Sequence, residues 1–426
     1  MVSTAFVGLA RNQARVLGMP DMPMVQLQHP VGGTQLDSVL AKVDASLDEL
    51  LSKLASPPIS TVAAVSAVSA TRSEWIEFDT SDEWGSLQTD FAARGWSDGM
   101  LMAPPTEMRV AAMVAGSGLP PEKIIGELAP KMGVATVERI AANAVMAGCR
   151  PEHMPILVAA VQIMSDPTFF LKNIQATTHP VSPLLIVGGP LAKTLNINSG
   201  SGAFGPGPWA NGVIGRAIRL MLLNIGGGKP GEIDKATLGH PGKYTYCIAE
   251  NEAASPWPSL RAERGFAADV STVTMYGGEA PHNINDHEST TAGGLLTTIT
   301  GSIAQIGQNS VECFAEMLVV LSPEHAATIA ADGFTKDDVK RAIYEDARVP
   351  MSRFAQKNIE RRLWRLLPLR YRDRPMDTMV AMVQRWEDVI VIVAGGEGKH
   401  SMYLPGYGST RALTRPILSG DGSPWR

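Results

Sequence analysis

Cysteine is scarce in this chain, with only Cys149, Cys247 and Cys313 among 426 residues. Three thiols far apart in sequence make no disulfide framework and suit a reducing compartment, so the cytoplasm is the expected location. Long apolar runs are missing as well. No stretch approaches the roughly 20 apolar residues that span a bilayer, and Val389 to Ala394 is short enough to read as a buried strand. Met1 to Ala10 carries neither the cationic start nor the apolar run of a signal peptide. Aromatic residues make up only 6% of the chain and the formal net charge is -5, with no Lys/Arg block beside aromatic residues. A nucleic-acid groove is therefore not expected, and neither is a membrane partner.

What is present describes a globular protein. Hydrophobic residues account for 45% and charged residues for 19% of the chain, with a mean hydropathy of +0.02, which excludes disordered and collagen-like classes. The length suits more than one core. Glycine (41) and proline (30) are plentiful and concentrate in the middle of the chain, where many turns must be built.

Hydrophobic periodicity predicts a helix over Ala5 to Gly18, a strand over Met24 to Gln28 and a helix over Leu36 to Leu54. These form a small N-terminal α/β unit, residues 1–56. The stretch 57–73 lacks a helical stripe and reads as a linker. Residues 74–426 form the main domain, with a candidate subdivision near 310–355. There, helices are expected at Val137 to Ala147, Pro151 to Met164, Ile214 to Ile225, Thr291 to Ile306, Pro323 to Asp332 and Lys336 to Asp346. Strands are expected at Pro183 to Gly189, Tyr244 to Ile248, Val270 to Tyr276, Met317 to Leu321 and Val389 to Ala394. The alternation favours an α/β fold with a mixed sheet covered by helices. No internal repeat of fixed period is visible.

Chemistry concentrates between Arg150 and His287. "PHNINDH" places His282, Asp286 and His287 close together beside Asn283 and Asn285. Such a loop can share a divalent transition metal among His282, Asp286 and His287, or use a histidine as general acid/base with Asp286 orienting it. Against that stands a structural reading in which Asp286 and Ser289 cap the following helix and Asn283 and Asn285 satisfy turn backbone. "HPGKYTYCIAENE" brings Lys243, Cys247, Glu250 and Glu252 together; strand alternation would set Lys243 beside Cys247 and lower the thiol pKa, while the glutamates supply acid/base groups. Cys149 follows the glycine that ends a helix, adjoins Arg150 and precedes the Pro151 helix, features that stabilise a thiolate; the competing reading is a buried cysteine filling a corner. The glycine-rich stretch containing Asn198, Ser199 and Asn211 runs into a helix carrying Arg216 and would suit a carboxylate or phosphate. His400, after Gly398 and Lys399, follows a strand and is more suggestive than the lone His29, His153, His179 and His325.

Residues 1–55, with "FVGLARNQARVLGMPDMPMVQLQHPVGG", resemble the later part of the module in the UGSC (seleno)protein family. Trp96 to Phe354, through "SDGMLMAPPTEMRV", "NAVMAGCRPE", "GHPGKYTYCIAENE" and "PHNINDHESTT", resembles a bacterial domain found with it. The resemblance implies thiol or selenol redox chemistry at a Sec/Cys-Gly-Ser-Cys motif. That motif does not occur here, and another chain is expected to supply it.

The combined expectation is an enzyme acting on a small, anionic molecule through His/Glu acid-base or metal-assisted chemistry, with Cys149 as a candidate nucleophile. Arg150, Asn198, Ser199, Asn211, Arg216, Asn283 and Asn285 would bind substrate. The alternatives are a subunit of a thiol- or selenol-dependent reductase and a non-catalytic module for an anionic ligand. A homo-oligomer, or a hetero-oligomer with the chain bearing the missing motif, is expected. The loops at Cys149, Asn198, Cys247 and His287 are expected to converge on one cleft, with His282 or His287 in reach of Glu250, Glu252 or Cys149. Cys149 is expected to be the most readily alkylated thiol, with Cys313 in the core.

Overall fold

A computed structural model describes residues 1–55, 82–408 and 410–425, and the Glu312 and Cys313 side chains lie outside what it describes, as does the expected linker 57–73. The strands in chain order are β1 (Val2–Ser3), β2 (Gln26–Leu27), β3 (Ile124–Leu128), β4 (Gly133–Thr136), β5 (Ser182–Gly188), β6 (Cys247–Ala249) and β7 (Thr272–Gly278). They continue as β8 (His282–Asn285), β9 (Met317–Leu321), β10 (Arg348–Pro350), β11 (Met379–Ala381), β12 (Val389–Val393), β13 (His400–Pro405) and β14 (Leu413–Pro416). The fold is α/β. Among the described residues, no helix is long and apolar enough to cross a membrane.

Two four-stranded mixed sheets dominate, ordered β14-β7-β5-β6 and β8-β13-β9-β12. Strand alternation gives each sheet two apolar faces. Leu184 and Ile186 of β5, Tyr246 and Ile248, Leu318 and Val320 of β9, and Ile390 and Ile392 of β12 share one buried cluster, the seam between the sheets. Leu185, Val187, Cys247 and Met275 face the other way, against the helices Val137–Ala147, Met154–Met164 and Trp209–Asn224. Val319, Val391 and Tyr403 similarly meet Ala292–Ile303, Pro323–Ala331 and Lys336–Asp346. The result is helices, sheet, sheet, helices. Each fully buried aliphatic side chain in these layers contributes about 1.5–3 kcal/mol relative to exposure.

The two sheets also share a topology. In the first, β6 runs parallel to β5, β7 antiparallel to β5 and β14 antiparallel to β7. In the second, β12 runs parallel to β9, β13 antiparallel to β9 and β8 antiparallel to β13. Chain order makes the relation plain: β5, β6 and β7 build one sheet and β8 then completes the other; β9, β12 and β13 build that other sheet and β14 returns to complete the first. Gly278, at the end of β7, and Gly406, just past β13, form an antiparallel bridge between the halves. The repeat is one of strand order, not of sequence period.

Several local differences from the periodicity have physical reasons. The expected Leu36 to Leu54 helix is two helices, Leu36–Asp44 and Leu47–Ala55. Ser46 donates its hydroxyl to Lys42 O at 2.9 Å at the break, the local competition by which serine disfavours helix interiors. The strand expected from Tyr244 begins only at Cys247, because Pro241 opens a 3-10 turn and Tyr244, its C-cap, has αR backbone angles. "HNIN" forms edge strand β8 rather than a loop. The N-terminal unit is tied to the rest by Asn12, whose buried amide donates to Pro130 O at 3.0 Å.

Candidate functional site

The cleft begins where β5 ends. Gly189 has a φ of 93°, and a side chain there would come within 2.8 Å of the Ser271 backbone, so only glycine turns the chain at this point without strain. Its N–H donates to Glu252 Oε1 at 2.8 Å. Arg261 closes on the same carboxylate from the other side, Nε to Oε1 and Nη2 to Oε2, each at 2.7 Å. This bidentate pair also keeps the guanidinium firmly protonated, the Glu252 hydrogen bonds being the main cause.

Glu250 sits two residues earlier, at the end of β6, and is 5% exposed. Its Oε2 accepts the Leu260 N–H at 2.8 Å, whereas buried Oε1 has no hydrogen-bond partner. The Lys336 ammonium lies 3.9 Å from Oε1 and is bound more closely by Glu263 at 3.1 Å. Burial pushes the Glu250 carboxyl up to about 7, against the opposing pull of Lys336 and the Leu260 N–H. Glu250, Asn251 and Glu252 line a cleft of about 480 Å³ together with Lys193, Asn198, Ser199 and Arg261.

Asn211 holds one wall of this cleft. Buried at the start of the Trp209–Asn224 helix, it accepts from Asn198 N at 2.7 Å and donates to Asn198 O and Cys247 O, each at 3.1 Å. Its amide is thereby consumed in stapling the 196–199 loop to β6. The Asn198 side chain makes its own turn, accepting from Gly200 N at 2.9 Å and donating to Ser201 O at 2.8 Å. Ser199 O accepts from Gly395 N at 2.8 Å, which joins the cleft to the segment after β12.

The remaining expected residues lie elsewhere. Cys247 and Cys149 belong to the layer between the first sheet and its helices, and the Cys149 thiol donates to Val213 O at 3.3 Å. Burial pushes both thiols well up, opposite to the acidification expected from Arg150, Lys243 and a helix start. Lys243 is at the other end of β5, paired with Asp234 at 2.9 Å and directed at Val181 O. Arg216 is committed to Asp98 at 2.7 and 2.8 Å. Arg150 stacks 5.3 Å above the Trp209 ring.

Asp286 is structural, but it does not cap the following helix, whose N-cap is Thr291; it closes its own turn instead. It accepts from the Ser289 N–H at 2.9 Å, the Ser289 hydroxyl at 2.8 Å and the Thr298 hydroxyl at 2.6 Å. These bonds, Thr298 first, hold its carboxyl down at about 2. His282, exposed, opens β8 opposite Tyr403, while His287 pairs with His400, not with Asp286. Among the described residues, no three His, Cys, Asp or Glu side chains stand together as a metal-binding group, and no hydrogen bond or ion pair joins His282 or His287 to Glu250, Glu252 or Cys149. One cleft thus gathers Asn198, Ser199, Glu250 and Glu252; the thiols lie behind it and "PHNINDH" belongs to the second sheet.

Sequence reasoning missed Gly189, Lys193, Asn251, Arg261 and Lys336. Only "GGP" at the end of a strand signalled the first of these. Arg261 and Lys336 come from distant segments and carry no local motif. No curated protein matches the chain. The cleft lies wholly outside the segment that a family comparison identifies: residues 1–56 match the UGSC family.

Proposed function

We propose that this chain is an enzyme acting on a small polar molecule by general acid–base chemistry, with Glu250 as the proton-transfer group. The observation that supports this reading is the Glu250 carboxyl itself: a residue lining the cleft with one oxygen fixed by Leu260 N–H and the other buried, without a hydrogen-bond partner and 3.9 Å from the Lys336 ammonium, and with a pKa raised to about 7. A base is most effective when its pKa lies near the working pH. Ionised Glu250 would take a proton from a bound water or from an acidic O–H or C–H of substrate onto Oε1 and return it later in the cycle. Glu252 and Arg261, locked to each other and to Gly189, would shape and charge the far wall. Lys193 and the Ser199 side chain, both on the cleft, would orient a carboxylate or other polar group. A reducing, cytoplasmic setting fits the two free thiols Cys149 and Cys247.

The test is a panel of small carboxylic acids, amides and hydroxy acids offered to the wild type and to Glu250→Gln, read both as turnover and as ligand-induced thermal shift. The reading expects turnover to fall by at least about 100-fold in the variant, the scale of a lost general base, with the thermal shift retained. Undiminished turnover in Glu250→Gln would overturn it, and a ligand that binds both proteins with no turnover in either would favour a non-catalytic binding module.

A further inference from the structure

The exposed edge of the second sheet carries a pair of histidines that the cleft does not use. His287 follows β8 and His400 opens β13, so antiparallel pairing of these strands brings together residues far apart in sequence. Their Nε2 atoms are 3.2 Å apart, with the rings at 78° to one another. His400 Nδ1 is 3.1 Å from Asn283 Oδ1. An amide oxygen only accepts, so this contact places the proton on Nδ1 and leaves the His400 Nε2 lone pair directed at His287.

We propose that His287 and His400 form a two-histidine site for a borderline divalent cation such as Zn²⁺, Ni²⁺ or Co²⁺, with Asn283 as the residue that fixes the tautomer of His400. Two imidazole nitrogens on one tetrahedral zinc, at the usual Zn–N length, stand about 3.3 Å apart, which the observed separation already matches. Asn283 supplies the second-shell hydrogen bond that metal-bound histidines regularly make through the other ring nitrogen. The Asn283 side chain and the imidazoles are exposed, so an ion can enter without unfolding. Water would fill the remaining positions. One group opposes a cation: the Lys399 ammonium, which is held 2.9 Å from the His287 carbonyl oxygen rather than at either ring. The site is independent of Glu250. The segment from Gly395 to His400 nevertheless links it to the cleft, since Gly395 N–H is bonded to Ser199 O.

The experiment is calorimetric titration of the full chain with ZnCl₂ or NiCl₂ alone at pH 7.5, with Co²⁺ absorption as a second readout. The expected result is about one equivalent bound, with a tetrahedral Co²⁺ spectrum. His287→Ala and His400→Ala should each lose at least tenfold in affinity, and Asn283→Ala about 10–100-fold. Asn283→Asp, which turns the amide into a carboxylate, should tighten binding, and Lys399→Met should tighten it or leave it unchanged. His282→Ala should bind as the wild type does. Binding that survives His400→Ala, or follows His282 instead, or fails in the wild type at millimolar metal, would overturn the proposal. Circular dichroism of each variant shows that loss of binding is not loss of fold.

Discussion

Asn251 donates its backbone N–H to Val393 O at 2.8 Å, so the residue between the two cleft glutamates is anchored to the end of the opposite sheet. Glu250 precedes this bond and Glu252 follows it. The two carboxylates are thereby held on either side of one anchored residue, Glu252 bonded through both oxygens and Glu250 through one.

Glu250 should leave a signature in stability against pH. Its folded pKa is raised to about 7, above an unfolded value near 4.3, so the native state binds the extra proton between those limits. Stability should fall as pH rises through this window, by up to about 4 kcal/mol. Chemical denaturation of wild type and Glu250→Gln from pH 4 to 8 checks this, since the variant should lose that part of the slope. Parallel curves would mean that Glu250 titrates normally.

Replacing Arg261 by alanine leaves the Glu252 carboxylate with Gly189 N–H alone and exposes Ala267 O to an unfilled space. The expected cost is about 1–3 kcal/mol in denaturant titration. Turnover should suffer in the same variant because the cleft wall loses its shape; an unchanged melting curve together with full activity would show that the clamp is dispensable.

Asn211→Ala removes three hydrogen bonds at a buried position. A loss of about 1–3 kcal/mol is expected. Hydrogen exchange should speed up at Asn198 and Ala249, whose amides meet at this staple, while the second sheet stays protected. Uniform acceleration across both sheets would contradict a local role.

Both described thiols should resist alkylation in the native state. Cys149 and Cys247 have pKa values pushed up by burial, and the thiolate is the reactive form. Mass-spectrometric labelling with iodoacetamide at pH 7.5 should modify them slowly, and rapidly after denaturation. Fast native labelling of Cys149 would restore the nucleophile reading that its place after Gly148 suggested.

The legible parts of this chain were those written in contiguous residues. The helix Lys336–Asp346 is legible at the bounds the sequence predicts, and the structure adds a Thr335/Asp338 capping box at its start; β9 and β12 announce themselves as short apolar runs. Glu250 and Glu252 were recognisable as candidates by their spacing beside an asparagine. The setting that distinguishes them was not, because Arg261, Leu260, Lys336 and Gly189 reach them only after the chain has folded. Lys243 misled for the converse reason: it is four residues from Cys247, but Pro241 sets a turn between them and sends the lysine to Asp234. His400 was singled out as a residue after a strand, yet its partner His287 was assigned to Asp286, since strand pairing across more than a hundred residues leaves no trace in local spacing.

The exchange of β8 and β14 between sheets bears on how the chain comes to be folded. Neither half can finish its own sheet: the first four-strand run waits for β14, close to the C-terminus, and the second borrows β8 from the run before it. A nascent chain cut off anywhere before Leu413 would leave β7 as an open edge, a template for pairing with other chains. Formation of the native edges is therefore a late event of high contact order, and slow, concerted assembly is the kinetic behaviour this interlock imposes.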